Sequence, residues 1–136
     1  MKAKQEKDLQ LNGWVIVVEN DPTLRMLMVN ILDKIGLRPL DFQSAGDALF
    51  YLMGTFDGCP LVIVDQGQPG QLNGADFIKL VKKKWPSTAA VLTSSYELTP
   101  STLPDSTIHL QKPWSMNDLV MAVTTLIRPS QPIGKP

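Results

Sequence analysis

Three short apolar runs each deliver a residue able to do chemistry. Pro60-Leu61-Val62-Ile63-Val64 ends in Asp65 and then turns through Gln66-Gly67-Gln68-Pro69-Gly70. Trp14-Val15-Ile16-Val17-Val18 runs into Glu19-Asn20-Asp21, and Ile108-His109-Leu110-Gln111 runs into Lys112-Pro113. A short apolar run bounded by turn residues reads as a strand buried on both faces. The carboxyl ends of such strands are where open α/β sheets bind ligands. Carboxylates and a lysine gathered on one edge suit hard-cation and phosphoryl chemistry. Glu19 and Asp65 are oxygen ligands of the kind Mg²⁺ prefers, and Asn20 adds a carbonyl oxygen without charge. A carboxylate can also be a nucleophile toward phosphorus. An ammonium, a hydroxyl and Mg²⁺ stabilise the charge on the transferred group.

The elements that must position these residues alternate along the chain. Asp21-Pro22 reads as helix cap and first helical residue. Leu24, Leu27, Met28, Ile31, Leu32 and Ile35 follow at helical spacing until Gly36. Residues 38 to 42 form a short strand. Ser44 caps a second helix with Ala45, Ala48, Leu49 and Leu52 on one face and Gly54 at its end. Residues 75 to 85 make a third helix, and residues 89 to 93 a fourth strand. The helix expected next is shortened or absent, because residues 97 to 105 carry Pro100 and Pro104 and little periodicity. Residues 107 to 111 alternate as an edge strand. Ser115, with Asp118 three residues on, caps a last helix bearing Leu119, Ala122, Val123 and Leu126. The expectation is a doubly wound α/β fold, a parallel sheet with helices on both faces. The domain spans residues 13 to 128, between a flexible segment (1 to 12) and a disordered, proline-rich tail (129 to 136).

Composition narrows the function. The 136 residues suffice for one core and show no repeat. Thirteen basic and thirteen acidic residues leave no net charge, which argues against a nucleic-acid or anionic-membrane partner. Lys82-Lys83-Lys84 suits a helix C-terminus. One cysteine, Cys59, excludes a disulfide framework and a cysteine-rich zinc site. The first ten residues are charged and unlike a signal peptide, and no apolar run reaches the ~20 residues of a membrane span. A cytoplasmic protein is expected.

The motifs together resemble the receiver domain of two-component response regulators, over about residues 13 to 128. Val17-Val18-Glu19-Asn20-Asp21-Pro22 is similar to the acidic-pair motif. Val62-Ile63-Val64-Asp65, with Pro69 and Gly74, is similar to the phosphoacceptor motif. Val91-Leu92-Thr93-Ser94-Ser95 resembles the strand ending in the switch hydroxyl, and Lys112-Pro113-Trp114 the lysine–proline–aromatic motif. The resemblance implies a flavodoxin-like five-stranded sheet of order 2-1-3-4-5, an order for which a chemotaxis receiver is a known example. It implies phosphorylation of Asp65 by a histidine kinase or phosphotransfer protein. Mg²⁺ would be held by Glu19, Asn20, Asp65 and the backbone carbonyl of Gly67. Ser95, with Ser94 as its neighbouring alternative, would be the switch hydroxyl, and Lys112 would pair with the phosphoryl group. A cis bond is implied at Lys112-Pro113, proline being where such a bond is accessible. Trp114 would be a packing residue.

The chain departs from the pattern in places. Asn20 replaces the second acid, with Asp21 better suited to capping. His109 takes the place of the switch aromatic. Gly67 and Glu97 occupy the positions that modulate attack of water on the phosphoaspartate. The missing helix alters the face used for output, so the downstream protein is unspecified. Leu11-Asn12-Gly13 resembles the lead-in to receivers of hybrid sensor kinases. No output domain is expected. The rival reading is a degenerate receiver that binds protein without phosphotransfer. An enzyme is not expected. A dehalogenase-type phosphatase would want an aspartate where Gly67 stands, and neither phosphate-cradling glycine motif occurs.

Overall fold

The computed structural model describes residues 11–127. The expected tail and most of the expected flexible leading segment therefore lie outside the described residues. Five parallel strands form one sheet in the order β2-β1-β3-β4-β5. They are β1 (Val15–Val18), β2 (Pro39–Phe42), β3 (Leu61–Asp65), β4 (Ala89–Ser94) and β5 (Thr107–Gln111). The helices are α1 (Pro22–Lys34), α2 (Ala45–Met53), α3 (Gly74–Lys84) and α4 (Met116–Ile127). The one helical element between β4 and β5 is a 3₁₀ turn, Pro100–Thr102.

The alternation of side chains along the strands builds two cores. Val15, Val17, Leu61, Ile63 and Val91 point to the face covered by α1 and α4. Ile16, Val18, Val62, Val64 and Leu92 point to the face covered by α2 and α3. All four residues of β1 and all five of β3 are buried, as central strands of a parallel sheet must be. Asp65 is thus the end of a wholly buried strand rather than a loop acid.

Local chemistry fixes the helix starts. Asp21 accepts hydrogen bonds from the amides of Thr23 (2.9 Å) and Leu24 (3.4 Å), and Pro22 opens α1. Ser44 accepts from Asp47 at α2 and Asn73 from Asp76 at α3. Ser115 and Asp118 form a reciprocal capping box at α4, with bonds of 2.9 and 3.0 Å. A Cβ on Gly74 would lie 2.7 Å from the Asp65 carbonyl oxygen and 2.7 Å from Leu92, so only glycine lets α3 start this close to β3. No helix among the described residues is long and apolar enough to cross a membrane.

Candidate functional site

The strand order puts the carboxyl ends of β1, β3 and β4 side by side, with β5 beyond. Glu19 follows β1 directly and Asp65 ends β3, and both are buried, at 3% and 7% exposure. Lys112 follows β5 and reaches back across β4. Its Nζ lies 3.0 Å from Asp65 Oδ1 and 3.4 Å from Glu19 Oε1. One ammonium therefore bridges two carboxylates contributed by strands far apart in sequence. The Lys112–Pro113 peptide bond is cis. Trp114 packs against the α1/α4 core.

The other oxygens are also engaged. Asp65 Oδ2 accepts the Gly67 amide at 3.1 Å, and Glu19 Oε2 accepts the Asp21 amide at 3.0 Å. Burial raises the Glu19 carboxyl above its ordinary range. The Asp21 amide opposes that, the Asp65 charge adds to it, and Lys112 offsets part of it. For Lys112, burial pulls the ammonium down, but its hydrogen bond to Asp65 and the Glu19 charge outweigh this and hold it above the usual lysine range. The site is a pair of buried carboxylates balanced by one cation, an arrangement left one positive charge short.

The structure corrects the sequence reading of the hydroxyl. Ser95 lies beyond the end of β4, is exposed, and makes no side-chain hydrogen bond. Thr93, fully buried and paired with Asp65 in the sheet, donates its Oγ1–H to Asp65 Oδ1 at 2.8 Å. The physical reason is register. Leu61–Asp65 and Ala89–Thr93 run in step as equal five-residue lengths, so the fifth residue of each meets the other. Ser94, the neighbouring alternative, turns to β5. Its hydroxyl donates to the Tyr96 carbonyl and lies 2.6 Å from His109 Nε2. With the serine proton so used, the imidazole N–H is the donor of that second bond. His109 is half-buried on β5, bonded to the residue next to Thr93.

Three side chains not anticipated from sequence hold the loops. Arg25 on α1 donates to the Glu19 carbonyl at 2.7 Å and pairs with Asp41 on β2 at 3.0 Å, anchoring the loop after β1. Gln68 donates to the Asp65 carbonyl at 2.8 Å while its Oε1 accepts the Ala45 amide at the start of α2. Gln66 accepts the Ala75 amide at α3. Glutamines carry no periodicity that could have marked them; only the folded loop brings them to helix ends.

Asn20 and Gly67 are exposed at the rim, and Glu97 lies outside the site's hydrogen bonds among the described residues. Asp21 is committed to its cap. No cluster of three acidic, histidine or cysteine side chains occurs among the described residues. A cation would therefore rest on two carboxylates, backbone oxygens and water. That donor set fits Mg²⁺, which keeps several waters and needs only one or two carboxylates.

No protein-family model matches the sequence, and comparison with curated proteins finds no match. Solved structures do match in fold. A response regulator receiver protein from Sinorhizobium medicae superimposes with a TM-score of 0.78 at 19% identity, covering 85% of this chain and 94% of that one. The receiver domain of NtrX from Brucella abortus gives 0.74 at 22% identity, covering 85% and 99%. The receiver domain of the hybrid histidine kinase CckA gives 0.73 at 21% identity, covering 85% and 100%. The chain has the receiver-domain fold, and each of these matches covers nearly the whole of the other chain.

Proposed function

We propose that the chain is a phosphoryl-accepting receiver of two-component signalling, with Asp65 as the acceptor. One observation carries the reading: Lys112 bridges Asp65 and Glu19 while the Thr93 hydroxyl bonds the same Asp65 oxygen. A structural acid at a strand end has no need of an ammonium from a strand two places away and a buried hydroxyl besides. Those are donors that a phosphoryl group on Asp65 would use.

In this reading an Asp65 carboxylate oxygen attacks the phosphorus of a phosphohistidine on a kinase or phosphotransfer protein. The P–N bond breaks, and the electron pair leaves with the imidazole, which takes up a proton. Lys112 is placed to pair with a phosphoryl oxygen, and Thr93 to donate its hydroxyl to another. Glu19, Asp65 and the Gly67 backbone carbonyl would hold Mg²⁺, with Asn20 at the rim. The ion would supply the positive charge that the two carboxylates and one lysine leave short. Thr93 and Ser94 are adjacent, so movement of Thr93 toward a phosphoryl group would carry into the Ser94–His109 bond and β5. The chain accepts a group and passes on a conformation, and does not turn over an external substrate. A cytoplasmic setting and an unspecified downstream protein go with this role.

The test is intact mass after incubation with Mg²⁺ and acetyl phosphate, beside Asp65→Asn. The expected result is one added phosphoryl mass in the parent and none in the variant. No gain in the parent refutes the proposal. The exposed Asn20 in place of a second acid would then favour the rival reading, a phosphorylation-independent binding module.

A further inference from the structure

A cavity of about 350 Å³ lies between α3 and the segment that connects β4 to β5. Ser106, the residue before β5, stands in its wall, so the cavity sits at the amino edge of the sheet. Asp65 and Lys112 are at the other edge, and the five residues of β5 alone separate the two edges by roughly 16 Å. Lys79, Lys82 and Lys83 line the cavity against a single acid, Asp105. Their spacing of three and four residues stacks them on one stripe of α3. Lys84, the remaining lysine of the last turn, lies instead over the Trp85 ring, 5.6 Å from its centroid.

A helix C-terminus accounts for lysines in its last turn, but not for this set. Lys79 is the sixth of the eleven residues of α3, outside the last turn where the terminal carbonyls act. Lys82 donates to the Thr88 carbonyl, which fixes its side chain. Burial pulls the Lys82 ammonium below the usual lysine range, and the charge of Asp105 offsets that only in part. Among the described residues the ion pairs are those of Arg25 and Lys112, so no carboxylate is in contact with the three cavity lysines. Ser106 holds φ at 54°, a conformation glycine takes more easily, yet it keeps a hydroxyl at the cavity wall. The cavity is thus a concave place with an excess of positive charge and no internal counter-ion.

We propose that this cavity binds a small phosphate-bearing molecule, a monoester or diphosphate with two or more negative charges. Three ammoniums on flexible stems suit a group whose charge is spread over three oxygens. A carboxylate is met better by the planar fork of arginine, and no arginine lines the cavity among the described residues. The volume is at the low end for ligand pockets, so it takes a phosphate with a small organic body, the latter against Pro86 and Pro104. The chain as a whole has no net charge, so an anion held here is held by this cluster and not by a general field.

The test is a titration of the full chain with sodium pyrophosphate, followed by amide NMR shifts at constant ionic strength and without Mg²⁺. The expected result is saturable shifts at Lys79, Lys82, Lys83 and Ser106, with Kd below about 1 mM. Lys79→Gln with Lys83→Gln should weaken binding by roughly tenfold or more, since each lysine removes a charge-assisted contact. Asp105→Asn should tighten it by roughly twofold or more, because it removes the one opposing charge. Lys84→Gln, an equal loss of charge outside the cavity, should leave Kd within about twofold. These positions are exposed, and the same spectra show whether each variant is folded. Shifts that do not saturate by about 10 mM overturn the proposal. So do shifts centred on Gly67 and Lys112, or a Lys84→Gln loss as large as that of the cavity pair. Succinate binding as tightly as pyrophosphate overturns the assignment to phosphate. Without Mg²⁺ or a phosphodonor the titration does not read phosphorylation, so its outcome is independent of the role of Asp65.

Discussion

Replacing Thr93 with valine removes one hydroxyl from the candidate site and keeps the side chain's shape. The hydroxyl is fully buried and bonds a carboxylate at 2.8 Å. Hydrogen bonds to charged groups contribute about 1.5–3 kcal/mol, most of it the cost of leaving the buried partner short. Asp65 would keep Lys112 and the Gly67 amide, so it would lose one of three partners. The expected cost is therefore about 2 kcal/mol at neutral pH. For a domain of this size that is a fall in Tm of roughly 8 °C. Ser95→Ala, two residues on, should stay within about 0.5 kcal/mol because the side chain is exposed and unbonded. Urea denaturation of both variants reads the difference directly. Repeating Thr93→Val in an Asp65→Asn background completes a double-mutant cycle, where the expected coupling is at least about 1 kcal/mol. A Thr93→Val cost below about 0.5 kcal/mol, or an equal cost for Ser95→Ala, would refute the assignment of the hydroxyl to Thr93.

Two further outcomes follow from the same geometry. Glu19 has a folded-state pKa above the ordinary glutamate value of 4.5, so between that value and the raised one the folded chain binds more protons than the unfolded chain. This group's contribution to stability is present below 4.5 and is lost as pH rises through the raised value. Glu19→Gln should therefore gain on the parent as pH climbs from about 5 to neutrality in urea titrations, and a flat or reversed difference would contradict the linkage. Gly74→Ala should destabilise by about 1–3 kcal/mol, because its Cβ has only backbone and Leu92 to displace. An unchanged midpoint would mean that α3 can withdraw from β3 freely.

Much of this protein was legible in its sequence, because the signals were local. The apolar runs ending in Glu19, Asp65 and Gln111 gave the central and edge strands, and period-2 alternation followed once the sheet was parallel. Asp21, Ser44 and Ser115 act as caps within two or three residues of themselves, a distance over which tertiary context has little say. Pro100 and Pro104 announced the loss of a helix between β4 and β5, since proline removes both a donor and the room for one. The convergence of Glu19, Asp65 and Lys112 was expected because every parallel strand delivers its carboxyl end to the same edge.

What the sequence left open depended on register and on long side chains. Whether Thr93, Ser94 or Ser95 meets Asp65 turns on a slip of one or two residues, and a slip of one reverses the face on which every side chain lies. Only the pairing of β3 with β4 decides it. The destinations of Arg25, Gln66 and Gln68 depend on loops closing over other strands, and no periodic pattern encodes them. The exposed Phe50, Met53, Phe56 and Leu80 read along the chain as ordinary hydrophobic content. Only after α2 and α3 have buried their inner faces does it become clear which apolar residues are left outside.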